Sequence, residues 1–187
     1  MESAPFALSH LLAMSFPRLN RVSRGNAAAM AFRGDTGKLV VAVVGTELVG
    51  AASGLAAGGD TREFFDALRK PPLTPPAAVF GPAWATLYLL MGVAAWLIWR
   101  QGIDQQSALA LGLFATQLLL NALWSILFFG ARRTGWALLE MTLLWLAILA
   151  TIVAFWRVQP LAAALLLPYL AWVTFAAYLN AGIVRLN

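Results

Sequence analysis

Hydrophobic residues make up 61% of this 187-residue chain and charged residues only 11%, with a mean hydropathy of +0.76. Ordinary soluble domains are nearer half apolar and a quarter charged, so a water-soluble globule is excluded. The formal charge of +5 would suggest a nucleic-acid partner in a soluble protein; here the cations stand singly at the ends of apolar stretches, where they meet lipid headgroups, and no nucleic-acid partner is expected. With no cysteine and His10 as the sole histidine, disulfides, thiolate chemistry, haem ligation by His or Cys, and zinc sites are excluded, so neither a metal nor a resident cofactor is expected.

Residues 1–37 differ in composition from the rest: Arg18, Arg21, Arg24 and Arg33 and four serines stand against Glu2 and Asp35 as the only acids. This N-terminal extension reads as a transit-type targeting segment, or as an unstructured tail or upstream extension before a start at Met30. A secretory signal is not expected, because the apolar run Ala4–Phe16 precedes its positive charges.

Residues 38–187 form the second part. Taking about twenty residues as the length that crosses a hydrocarbon core of about 30 Å, five spans follow, at about Leu39–Ala57, Ala77–Trp99, Ala108–Phe129, Gly135–Trp156 and Leu161–Val184. Unpaired backbone groups are intolerable in lipid and no alternating ten-residue segments occur, so an all-α five-transmembrane-helix bundle is predicted, not a β-barrel. Short connections after the second, third and fourth spans make consecutive helices antiparallel neighbours. Arg33, Lys38, Arg100 and Arg157 on one side, with Arg18, Arg21 and Arg24 farther out, nearly balance Arg62, Arg69, Lys70, Arg132, Arg133 and Arg185 on the other, so charge does not set the orientation.

Polar groups inside spans are functional candidates because each is costly there. Glu47 lies near the centre of the first span and Glu140 about one turn inside the fourth. Each has a plainer reading: Glu47 as a neutral acid bonded to a neighbouring helix, Glu140 as a group near enough the interface to stay hydrated. Gly50, Gly54 and Gly58 repeat every four residues and read as a close helix-packing face, inside the monomer or in an oligomer. Between the first two spans, Phe64, Phe65 and Leu68 form a short amphipathic stripe, and Lys70-Pro71-Pro72-Leu73-Thr74-Pro75-Pro76 gives a rigid, extended approach to the second helix. This segment is a lid over a cavity or a plain interfacial loop.

In the third span Gln117, Asn121, Trp124 and Phe128 share one helix face, which lines a cavity or packs and hydrogen-bonds between helices. Trp84 and Tyr88 in the second span are four apart, and Tyr169, Trp172, Ala176 and Asn180 make a similar stripe in the fifth. Trp99, Trp136 and Trp156 fall at span ends, where tryptophan normally collects, whereas Trp84 and Trp172 lie deeper. Together with Asn121 and Trp124 they have the composition of a site for a flat hydrophobic ligand.

The series Phe64-Phe65-Asp66-Ala67-Leu68-Arg69-Lys70-Pro71…Thr74-Pro75-Pro76, Gly81-Pro82-Ala83-Trp84, Gln117…Asn121…Trp124…Phe128-Phe129-Gly130-Ala131-Arg132, Pro168-Tyr169-Leu170-Ala171-Trp172 and Leu179-Asn180 closely resembles the translocator protein family, whose bacterial members are called tryptophan-rich sensory proteins and whose mitochondrial members are called peripheral benzodiazepine receptors. The resemblance runs over about residues 39–187 in the family's order and spacing. It implies a five-helix bundle, a homodimer associating mainly through the third helix, where Ala108, Gly112 and Thr116 form a small-residue face, and a pocket for porphyrins or other hydrophobic small molecules. With the third helix as the dimer seam, Gly54→Leu is expected to damage the monomer fold. Trp84, Tyr88, Asn121, Trp124, Trp172 and Ala176 match the family's pocket, with Gln117, Phe128 and Tyr169 beside them on the same stripes. Phe64, Leu68, Pro71, Leu73 and Pro75 belong to the lid loop; Phe64 and Leu73 stand where the family commonly has tryptophan.

The function this implies is a membrane receptor or carrier for porphyrins, with a regulatory or transport role. The alternative is light-dependent porphyrin degradation in the same pocket, with Trp84 and Trp172 as the candidates for electron transfer; no other catalysis is expected. A lipid-packing or assembly protein without a small ligand is a third reading. Specific cholesterol binding is not expected, since Ala181 replaces the tyrosine of the animal sterol motif while Arg185 is kept. Residence in a bacterial cell membrane is expected, with the mitochondrial outer membrane as the alternative.

Overall fold

A computed structural model describes the backbone of residues 17–187 and the side chains from Gly34 onward. It divides into two units, residues 1–37 and Lys38–Asn187. The targeting and unstructured-tail readings of the first unit rest in part on residues 1–16, which lie outside the described residues; its described part, from Pro17, is helical.

The elements are helices α1 (Pro17–Ala56), α2 (Thr61–Ala67), α3 (Ala77–Trp99), α4 (Gln105–Ser125) with a π-helical turn (Ile126–Gly130), α5 (Thr134–Val158), α6 (Pro160–Leu165) and α7 (Leu167–Leu186). Among the described residues, five stretches are long and apolar enough to cross a membrane: Gly34–Ala56, Ala77–Trp99, Gln105–Gly130, Thr134–Val158 and Pro160–Leu186. The protein is an all-α, multi-pass membrane protein. The fifth span is broken between α6 and α7, because Pro168 has no N–H to continue the ladder and Leu166 bonds back to Ala163 instead. Asp104 caps α4, its Oδ1 accepting from Ser107 N at 2.7 Å, and these N–H bonds hold its carboxyl below the usual carboxylate range.

The spans meet through small residues, as expected where lipid tails on the outside are as apolar as the interface and only close packing favours association. Ala94, Ala110, Ala137, Ala162 and Ala163 are fully enclosed, interleaved with Met91, Ile98, Ile148 and Phe155. Between α1 and α3 the backbones nearly touch: Gly92 faces Val43 and Ala42, and Thr46 Oγ1 donates to the Tyr88 carbonyl at 2.9 Å. The glycine stripe of α1 is therefore a packing face only in part. Gly50 lies against the Tyr88 ring, but Gly54 and Gly58 have no neighbour where a Cβ would stand, and Gly58 ends the helix at φ 96°. Leu48, Leu119, Trp136 and Trp156 point outward, and Lys38 lies over Trp99 at 5.8 Å. Trp145 donates from Nε1 to Thr174 Oγ1 at 2.9 Å, tying α5 to α7.

Candidate functional site

A cavity of about 490 Å³ lies at one end of the bundle. The C-terminal end of α1, the N-terminal half of α3, the end of α4 with its π turn, and α7 from Trp172 to Ile183 wall it, and α2 covers it. From α3 come Phe80, Trp84 and Tyr88, each four residues after the last and so on one face. Trp84 and Tyr88 lie with ring centroids 5.7 Å apart. Trp172, Ala176, Leu179, Asn180 and Ile183 of α7 follow the 3.6-residue period down the opposite wall, and Phe80 meets Trp172 edge-on at 6.0 Å.

The third wall depends on the π turn. An i to i+5 bond from Ala131 N to the Ile126 carbonyl, 2.7 Å long, adds a residue to the turn. Two consecutive side chains, Phe128 and Phe129, thereby reach the cavity along with Trp124. Trp124 and Phe128 stack at 5.0 Å.

The cover is α2. Phe65 stands edge-on to Phe80 at 5.7 Å and tilted to Phe129 at 6.4 Å, bridging two walls. Thr61 and Arg62 of the same helix also face the cavity. Phe64 faces the other way, edge-on to Phe128 at 6.1 Å and under the Arg132 guanidinium, and Leu68 packs with Phe128 and Ile183.

The following segment is not simply extended. It turns at Leu73, whose φ of 69° is left-handed, and Thr74 Oγ1 closes the turn on the Pro71 carbonyl at 2.7 Å. Leu73 consequently points to solvent, 80% exposed, and Pro75 is half-buried; neither lines the cavity. Pro71 is buried against Gly182, Tyr178 Oη donates to the Pro72 carbonyl at 3.1 Å, and the Asn187 amide pairs with both backbone groups of Arg69 at 3.0 Å. The strap from α2 to α3 is thus fastened to α7.

Of the residues the sequence singled out for ligand contact, the structure brings Trp84, Tyr88, Trp124, Phe128, Trp172 and Ala176 together around the cavity. Gln117, Asn121 and Tyr169 stand behind the wall, each almost fully buried. The Tyr88 hydroxyl donates to Asn121 Oδ1, and Asn121 Nδ2 donates to Tyr169 Oη at 3.1 Å. This chain joins α3, α4 and α7 and fixes the orientation of Tyr88. Asn180 spans the Thr134 carbonyl and the Leu138 N–H, at 3.1 Å each, at the start of α5.

Glu140 is 6% exposed, enclosed by the protein's own side chains. Glu47 is half-buried. Gly54, Ala57, Phe65, Phe129 and Arg62 line the cavity without having been singled out as ligand contacts. The four-residue glycine spacing and the α2 stripe were signals for some of them, whereas nothing in the sequence marked the π turn.

These features define a five-span helical membrane protein that encloses an aromatic site at one end under a short covering helix. Residues 40–186 match the TspO/MBR family, and the chain belongs to that family. It is 44% identical over 131 residues to the Translocator protein of Homo sapiens, covering 69% of this chain and 78% of that one. Over 150 residues it is 38% identical to the Tryptophan-rich protein TspO of Archaeoglobus fulgidus, covering 80% and 97%. Over 125 residues it is 42% identical to the Tryptophan-rich sensory protein of Cereibacter sphaeroides, covering 67% and 77%.

Proposed function

We propose that this chain is a membrane receptor or carrier that binds a porphyrin, or a similarly flat hydrophobic tetrapyrrole, in the aromatic cavity. The observation that carries the reading is the convergence of Trp84, Tyr88, Trp124, Phe128 and Trp172 from three helices around about 490 Å³. Ligand pockets run from about 300 to 1,000 Å³ and are lined mainly by apolar and aromatic groups. Indole and phenyl faces stack on a flat ring system, and burying such a ring removes a large apolar area from water. The names translocator and sensory protein, carried by the relatives, fit a receptor or carrier role.

Titration of the purified protein with protoporphyrin IX, followed in the Soret band, tests this. A saturable red shift is expected. Trp84→Phe and Trp172→Phe each remove an indole N–H and stacking area worth on the order of 1 kcal/mol, so each is expected to weaken binding about fivefold while the protein stays folded. If both variants titrate like wild type, the cavity is not the binding site.

A bacterial cell membrane is the proposed residence, and a homodimer the proposed state. Ala108, Gly112 and Thr116 form an exposed small-residue face on α4, and no other helix among the described residues comes within 4 Å of where a Gly112 Cβ would stand. Gly112→Leu is expected to yield folded monomer, because the side chain would hold two such faces apart. Mass measurement in detergent checks this; a variant that remains fully dimeric places the seam elsewhere.

A further inference from the structure

We infer that the cavity selects an amphipathic ligand whose acidic group docks at its mouth on Arg62, making Arg62 the specificity-determining residue for the anionic end. The inference rests on the proposal that the cavity is a ligand site, and it adds which chemical end of the ligand lies where. Among the described residues lining the cavity, Arg62 is the only one with a formal charge. It stands on the covering helix, beside Thr61 and three residues before Phe65, so the cation marks the mouth while the depth is aromatic and aliphatic.

The acids near that helix lie elsewhere. Asp60, Glu63 and Asp66 do not line the cavity. Asp66 Oδ2 approaches Arg62 Nε at 3.9 Å, with the two side chains 85% and 61% exposed, while Asp60 lies 3.8 Å from Arg132. An ion pair that long and that exposed contributes little, so its carboxylate is readily exchanged. A guanidinium has a planar fork of N–H donors matched to a carboxylate, and the one contact to Asp66, at Nε, is longer than a hydrogen bond.

The depth of the cavity repels the same group. A carboxylate carried inward among Trp84, Trp124, Phe128 and Trp172 would lose its hydration with no cation to replace it, which is prohibitive unless it is neutralised. Opposed preferences at the two ends orient the ligand with its ring system inward and its acid outward. Neutral planar molecules gain only the inner half of these interactions.

The test uses the full chain in nanodiscs of zwitterionic lipid, with protoporphyrin IX and its dimethyl ester as probes, in wild type, Arg62→Gln and Arg62→Lys. Wild type is expected to bind the diacid more tightly than the ester. Arg62→Gln should lower diacid affinity about tenfold, as for loss of a charge-assisted hydrogen bond, and leave ester affinity unchanged. Arg62→Lys should restore part of the difference. Equal losses for both probes would mean that Arg62 merely supports α2, and no loss for either would mean that it does not meet the ligand; both overturn the inference while the cavity remains a porphyrin site. If wild type binds neither probe, the ligand reading fails and the inference with it.

Discussion

Gly92→Leu is expected to part α1 from α3 and to leave little folded protein after extraction into detergent. A Cβ at position 92 would lie 2.6 Å from the Val43 Cα and 2.7 Å from Thr46 Oγ1, with the Ala42 carbonyl oxygen at 3.1 Å. Two of these are backbone atoms, which cannot swing aside as the tip of a flexible side chain would. Overpacking an interior position costs about 1–3 kcal/mol, and a backbone clash belongs at the upper end. Moving the helices apart also breaks the bond from Thr46 Oγ1 to the Tyr88 carbonyl. The damage extends to the site, because Gly50 holds the Tyr88 ring from the same helix. Thermal denaturation followed by tryptophan fluorescence, with Gly92→Ala as the milder step, measures the effect. A Gly92→Leu protein as stable as wild type would show that the two helices do not approach in this way.

For Gly54→Leu the expected result is a protein as stable as wild type that has lost porphyrin binding by tenfold or more, about 1.4 kcal/mol. This reverses what the regular glycine spacing suggests. Nothing lies within 4 Å of the added Cβ, and Gly54 faces the cavity, so the new side chain occupies ligand space instead of displacing a helix. Soret titration and thermal denaturation of the same sample separate the two effects. A loss of stability comparable to that of Gly92→Leu would restore the packing interpretation of the whole stripe. Unchanged affinity in a stable protein would place the ligand away from α1.

Much of the site is legible without coordinates, and the reason is periodicity. Trp84 with Tyr88, Trp124 with Phe128, and Trp172 with Ala176 are each four apart, and a helix of 3.6 residues per turn carries both members of each pair on one side. Periodicity does not say how deep a residue sits behind that side. Gln117 and Asn121 share the stripe of Trp124 yet stand behind the wall; Asn121 is held there by Tyr88 and Tyr169 from two other helices. Phe129 escaped the stripe altogether, since its position depends on one i to i+5 bond at Ala131. Similarly, the proline-rich strap has the composition of an extended segment, but contacts of Pro71 and Pro72 with α7 impose a turn at Leu73.

Taken alone, the sequence determined the solvent, the number of spans and the helical form of each, because length, hydropathy and the cost of an unpaired peptide group in lipid are local quantities summed along the chain. It also determined which aromatic residues share a helix face. Only the tertiary structure decided which glycine is a contact and which is open space, which face of α2 covers the cavity, and which amides form the frame behind the wall. Gly50, Gly54 and Gly92 are identical in isolation; what separates them is the presence of Tyr88, of a cavity, or of the Val43 backbone a few ångströms away, and such distances arise only when helices remote in sequence are packed together.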